Sequence, residues 1–144
     1  MSNSPVCVDA SLIARLFVGP DASQVWDLFD GWTEDGVLVC APTLLIYELT
    51  NVFHKYHQRG YLSAPTVQLV QEGTLELPIV LEPHTTLAAA ALRISTTLRL
   101  SASYDAYYLA LAEQRSADLW TADARLKRHA GPWQERIKVV QEDA

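Results

Sequence analysis

Four acidic residues stand in four unlike settings along this chain. Asp9 ends the apolar run Val6-Cys7-Val8, and Asp123 closely follows Leu119-Trp120-Thr121. Asp105 opens the alanine- and tyrosine-rich stretch Tyr104 to Glu113, and Glu48 interrupts Leu44-Leu45-Ile46-Tyr47-Glu48-Leu49. Carboxylates gathered without His or Cys partners suit a hard divalent cation such as Mg²⁺ or Mn²⁺. Two carboxylates about 4 Å apart repel by roughly 4 kcal/mol at an effective dielectric near 20, so a converging set needs a counter-charge. A cation held there activates a water and offsets charge building on a phosphate, which is the equipment of phosphodiester hydrolysis.

Each acid also has a plainer reading. Asp9 can cap a helix beginning near Ser11, and Asp123 can cap the turn Ala124-Arg125-Leu126. Asp105 falls in a first helical turn, where the macrodipole favours a negative side chain. Glu48 resists this treatment, because it lies inside a helix with Leu45, Leu49, Val52 and Phe53 near its face. A buried carboxylate needs a cation, a hydrogen-bond partner or an exposed edge. Ser11 and Thr121 place hydroxyls beside Asp9 and Asp123, and Asn51 lies three residues after Glu48 on the same surface.

Arg125, Lys127, Arg128 and His129 form the densest basic run, directly after Asp123. Two readings stand side by side: an exposed helix end with cations toward its C-terminus, or a grip on phosphate through Arg125, Lys127 and Arg128. His54 and His57 read as part of a solvated basic helix end, since no Cys or third His has zinc-ligand spacing. The tryptophans and tyrosines, Tyr47, Tyr104, Tyr107 and Tyr108 among them, read mostly as core or interface, with base stacking by one of them as the alternative.

The elements that must position these groups alternate in type. Strands are expected at Val6 to Val8, Val37 to Cys40, Ile79 to Leu81, Asp118 to Thr121 and Ile137 to Val140. Helices are expected at Ser11 to Phe17, Ala22 to Glu34, Thr43 to Arg59, Ser63 to Gly73, Thr85 to Leu98, Ser103 to Gln114 and Ala124 to His129. Gly60 is placed to stop the third helix, and Pro65 to sit in the first turn of the fourth. Short β runs alternating with helices imply an α/β fold with a parallel sheet covered on both faces. Such a fold gathers strand ends, and the acids that follow them, at one edge.

The chain has 144 residues, 49% of them hydrophobic, which suits one domain spanning 1–144 with a sizeable core. No apolar run approaches the roughly 18 residues that cross a membrane, and Met-Ser-Asn-Ser-Pro lacks signal-peptide character, so a cytoplasmic protein is expected. Cys7 and Cys40 read as buried free thiols. A net charge of −6 argues against a simple cationic nucleic-acid binder. It does not exclude a phosphate-containing substrate that a metal or local basic residues would help to hold.

Four blocks together are similar to a known family: Val8-Asp9-Ala10-Ser11, Tyr47-Glu48-Leu49-Thr50-Asn51, Tyr104-Asp105 through Glu113, and Trp120-Thr121-Ala122-Asp123-Ala124-Arg125-Leu126. They resemble the PIN domain, and within it the VapC-like toxin ribonucleases of bacterial toxin–antitoxin systems. The resemblance implies a single PIN-like domain with a central parallel five-stranded sheet flanked by helices on both faces. It implies Mg²⁺- or Mn²⁺-dependent cleavage of RNA, with Asp9, Glu48, Asp105 and Asp123 as the acidic site. Ser11 and Thr121 are implied as supporting hydroxyls. On this reading Asp9, Asp105 and Asp123 coordinate the metal directly or through water, Glu48 ligates metal or orients the attacking water, and Asn51, beside Glu48, is a further supporting residue. A homodimer and a cognate antitoxin are implied as partners. A PIN-like binding module without nuclease activity is the competing reading. A phospho-accepting signalling domain fits poorly, because Asn3 and Ser4, not acids, precede the first strand.

Overall fold

The computed structural model describes residues 4–140; Met1 to Asn3, part of the segment read for a leader, lie outside the described residues, as do 141–144. Five strands form one parallel sheet: β1 (Val6–Val8), β2 (Val39–Pro42), β3 (Val80–Glu82), β4 (Asp118–Thr121) and β5 (Ile137–Val139), in the order β3-β2-β1-β4-β5. The helices are α1 (Ala10–Phe17), α2 (Ala22–Glu34), α3 (Leu44–Gln58), α4 (Ala64–Glu76), α5 (Ala88–Leu98), α6 (Tyr104–Arg115) and α7 (Ala124–Arg128). Among the described residues, no helix is long and apolar enough to cross a membrane.

β1 and β2 are apolar throughout, and β4 is apolar at Leu119 and Trp120, because both faces of the sheet are covered. Cys7, Val8, Cys40, Ala41 and Leu119 have no exposed surface. Right-handed crossovers put α1 to α4 on one face and α5 to α7 on the other. The packing agrees, since α1 touches α2 and α3, α3 touches α4, and α5 lies along α6. Cys7 and Cys40 face each other across β1 and β2 with sulfurs 3.4 Å apart, and both are free thiols. The hydrogen bond between them, together with burial, pushes the Cys7 thiol up. Helix α6 packs on β1, β2 and β4, and its run Leu109 to Ala112 is wholly buried. Ala106, Ala110 and Ala112, all buried, let the helix approach the sheet closely.

Two strands begin later than the apolar pattern suggested. Val37 donates its N–H to the Trp32 carbonyl, closing the C-terminus of α2 around the positive-φ Gly36, so β2 starts at Val39 and continues through Pro42. Ile79 likewise turns back to Leu77, so β3 covers Val80–Glu82. The helix expected over Thr85 to Leu98 divides into a 3-10 turn, His84–Thr86, and α5. A further 3-10 segment, Gly131–Arg136, was not foreseen. Gly60, at φ +79°, does follow the end of α3. Gly73 does not end α4; a Cβ there would lie 3.1 Å from the Phe17 ring, so this glycine serves close packing between α4 and α1.

Candidate active site

The chain leaves β1 toward β2 on one side of the sheet and leaves β4 toward β5 on the other. This switch point opens a crevice beyond the carboxyl ends of β1 and β4, where ligands of parallel α/β sheets bind. Asp9 follows β1, and Thr121 and Asp123 end and follow β4. Helices run back antiparallel to the strands, so α1, α3 and α6 turn their N-termini, the positive ends of their dipoles, toward this same edge.

A cleft of about 250 Å³ lies there, lined by Asp9, Ser11, Glu48, Asn51, Asp105 and Asp123, with Ala10, Val52 and Tyr108 completing its wall. All four acids singled out in the sequence therefore share one cavity. Thr121 lies fully buried beneath it. Lys127 and Arg128 do not line it, and neither does Arg125, whose Nε lies 3.4 Å from Asp123 Oδ1.

Asp9 is the most rigidly held of the four. It caps α1, with Oδ1 accepting from Leu12 N–H at 3.0 Å and from the Ser11 hydroxyl at 2.7 Å. Oδ2 accepts from the Thr121 hydroxyl at 2.5 Å. Ser11 in turn accepts from Ala122 N–H and Thr121 accepts from Asp123 N–H, each at 3.0 Å. Both hydroxyl protons thus go to Asp9 while both hydroxyl oxygens tie down the loop after β4. Even so, burial dominates and pushes the Asp9 carboxyl up to about 6, against the bonds from Thr121, Ser11 and Leu12; the charge of Asp105 adds to the rise.

Glu48 is the fifth residue of α3, in its second turn and nearer the N-terminus than its sequence setting suggested. Its explanation is Tyr108, whose hydroxyl donates to Glu48 Oε1 at 2.5 Å across the cleft wall. Burial raises the Glu48 carboxyl, the bond from Tyr108 opposes that rise, and the Asp105 charge adds to it. Burial and the Glu48 charge raise the Tyr108 phenol too, which keeps it a donor. Sequence reasoning placed Tyr108 with the core; its signal was its position three residues after Asp105, on the same helical face.

Asp105 stands in the first turn of α6 and is exposed as a residue, but the cleft walls still raise its carboxyl. The charge of Asp123 adds to that rise and Arg125 opposes it. Asp123 caps α7, accepting the Arg125 N–H at 2.9 Å. Capping and convergence are thus compatible: helices that start at one edge bring their caps together.

Tyr108→Phe removes the hydroxyl that donates to Glu48 and should raise its carboxyl further. The acid limb of any pH–activity profile is then expected to move to higher pH, with a stability loss of about 1–3 kcal/mol for a bond to a charged group. An unmoved acid limb would show that Glu48 does not govern it.

The donor set is oxygen throughout, which fits Mg²⁺ or Mn²⁺. Among the described residues, no three His, Cys, Asp or Glu side chains are already drawn into a closed metal cage. Mg²⁺ keeps several of its waters and uses one or two carboxylates, so an open acidic cleft suits it better than a cage. Burial is the main cause of the raised Asp9, Glu48 and Asp105 carboxyls, and the neighbouring acids add to it; a cation held there would offset both.

The PIN domain family profile matches residues 6–132. The chain belongs to the PIN domain family. Comparison with curated proteins gives no significant match. Among solved structures, this PIN domain is similar to PAE2754 from Pyrobaculum aerophilum, at 23% identity and a TM-score of 0.67, covering 88% of this chain and 80% of that one. It is also similar to a toxin–antitoxin complex from Klebsiella pneumoniae, at 15% identity and a TM-score of 0.61, covering 93% and 96%. At these identities the likeness concerns the fold.

Proposed function

We propose that this PIN domain is a Mg²⁺- or Mn²⁺-dependent endoribonuclease, the toxin of a VapC-like toxin–antitoxin pair acting in the cytoplasm. The observation that carries the reading is the convergence of Asp9, Glu48, Asp105 and Asp123 on one cleft, with the first three carboxyls raised. A bound cation would supply Lewis acidity, activating water and offsetting charge on the scissile phosphate. Asp9, Asp105 and Asp123 would hold it, directly or through water. Ser11 and Thr121 fix the plane of the Asp9 carboxylate so that it need not reorganise. Tyr108 occupies Glu48 Oε1, leaving Oε2 as the atom that orients the attacking water or takes its proton. Asn51 adds an amide at the rim. Arg125, Lys127 and Arg128 would meet phosphates beyond the scissile one, since they stand outside the cleft.

The partners are proposals of the same kind. The fold likeness to a toxin–antitoxin complex supports an antitoxin. Leu69 and Leu75, 67% and 59% exposed on α4, offer it apolar surface in the segment after Gly60. The exposed Val80, Leu81 and Leu92 on β3 and α5 support a homodimer.

The decisive test incubates the purified protein with end-labelled single-stranded RNA in Mg²⁺ or Mn²⁺ and in chelator. Cleavage is expected only with metal, and Mn²⁺ alone should raise the melting temperature. A PIN-like module that binds without cutting is the competing reading. Intact RNA together with an unmoved melting temperature would overturn the nuclease reading and favour that module.

A further inference from the structure

We infer that a second, aromatic pocket beside the acidic cleft is a nucleobase subsite, which holds a base of single-stranded RNA next to the phosphate being cut. Leu44, Tyr47, His84, Tyr104 and Tyr107 line this pocket of about 160 Å³. The inference rests on the ribonuclease reading and names how that same site would hold its substrate.

The two cavities are built alike from the same two helices. The acidic cleft takes Glu48 and Asn51 from α3 and Asp105 and Tyr108 from α6, each an i, i+3 pair. The aromatic pocket takes Leu44 and Tyr47 from α3 and Tyr104 and Tyr107 from α6, again each an i, i+3 pair, four residues earlier on α3 and one residue earlier on α6, where the step is mainly a turn of about 100° around the helix. On α3 the displacement is four residues, about one turn or 5.4 Å. Tyr47 adjoins Glu48 and Tyr104 adjoins Asp105, so a strand whose phosphate meets the acids brings a neighbouring base to the tyrosines.

The chemistry suits a base. Tyr47 and Tyr104 are 66% and 59% exposed, more than folding alone requires of two aromatic rings. Every base has a π-face, so aromatic rings bind single strands without needing duplex. His84 adds a directional group. The Thr43 hydroxyl accepts the His84 backbone N–H at 3.2 Å and lies 2.8 Å from Nδ1. Its own proton is then best donated to Nδ1, which in the neutral ring leaves Nε2–H as a donor for a base carbonyl. The pocket carries no acid, so a base meets less repulsion there than a phosphate would in the bare cleft.

The test uses a short single-stranded RNA carrying all four bases, with abasic analogues on either side of the principal cut. The Tyr47→Ala/Tyr104→Ala double variant alters two exposed rings and should keep its fold and its size-exclusion volume. On intact RNA its KM is expected to rise about fivefold or more, the low end of what one base–aromatic stack contributes, with kcat little changed. The abasic analogue on one side should raise the wild-type KM to the same extent, and the double variant should then add nothing further. An unchanged KM, or equal losses on intact and abasic RNA, overturns the subsite while leaving the nuclease reading in place. A shift in oligomeric state would overturn it too, by marking the pocket as a contact between copies. A wild type that cuts no RNA overturns both.

Discussion

Asp105→Asn is expected to lower metal-dependent RNA cleavage by roughly 10²–10⁴-fold, the range for losing one positioned catalytic group, while the melting temperature holds or rises slightly. The split between activity and stability is what makes this variant informative. Asp105 lies in the cleft, but its environment is set by burial and by the charges of Asp123 and Arg125 rather than by hydrogen bonds of the fold. Asn matches it in size and removes a charge that the neighbouring acids repel. If the residue served only the α6 dipole, the substitution would cost a few tenths of a kcal/mol and leave cleavage intact. Side-by-side melting curves and cleavage rates in metal-defined buffer separate the accounts. Undiminished cleavage would remove Asp105 from the site.

Asp9→Asn should cut activity as deeply and also change how stability depends on pH. The folded Asp9 carboxyl lies at about 6, above its ordinary 3.8. A raised carboxyl stabilises the fold fully below the unfolded value and loses that contribution as pH rises through the folded one. In metal-free buffer the wild type should therefore lose roughly 3 kcal/mol relative to the variant between about pH 4 and pH 7. Asn keeps an acceptor for the Leu12 N–H and is as good an N-cap as Asp, so α1 should persist. Mn²⁺ should reverse the wild-type loss near pH 7, by about 2.7 kcal/mol at a hundredfold excess over Kd, and should do much less for the variant. Denaturant midpoints at matched pH, with and without Mn²⁺, measure both effects. Parallel pH profiles for the two proteins would contradict the assignment.

These two residues also show how the sequence can and cannot be read. Asp9, Asp105 and Asp123 were visible as helix starts placed after strands or loops, and the alternation of strand and helix was enough to send all three to one edge of a parallel sheet. Capping and convergence looked like rival accounts along the chain. In space they coincide, because Asp9 and Asp123 cap α1 and α7 at the same edge and Asp105 joins them from the first turn of α6.

Glu48 marks the boundary of that legibility. Its apolar surroundings required a partner, and periodicity showed the face it occupies, since both follow from local spacing. The partner itself, Tyr108, stands sixty residues away on a helix from the opposite layer. No local rule predicts a 2.5 Å bond between two helices, because it depends on how closely the alanine-rich α6 settles on the sheet. The aromatic pocket is of the same kind: core, interface and base-stacking readings of Tyr47, Tyr104 and Tyr107 could not be separated until α3 and α6 were set side by side. The starts of β2 and β3 also escaped, because Val37 and Ile79 spend their N–H groups on preceding turns. Alternation and apolar pattern act over a few residues and therefore carry the fold class and the three acids at its edge. Pairing across layers depends on packing distances, and these exist only once the layers have closed.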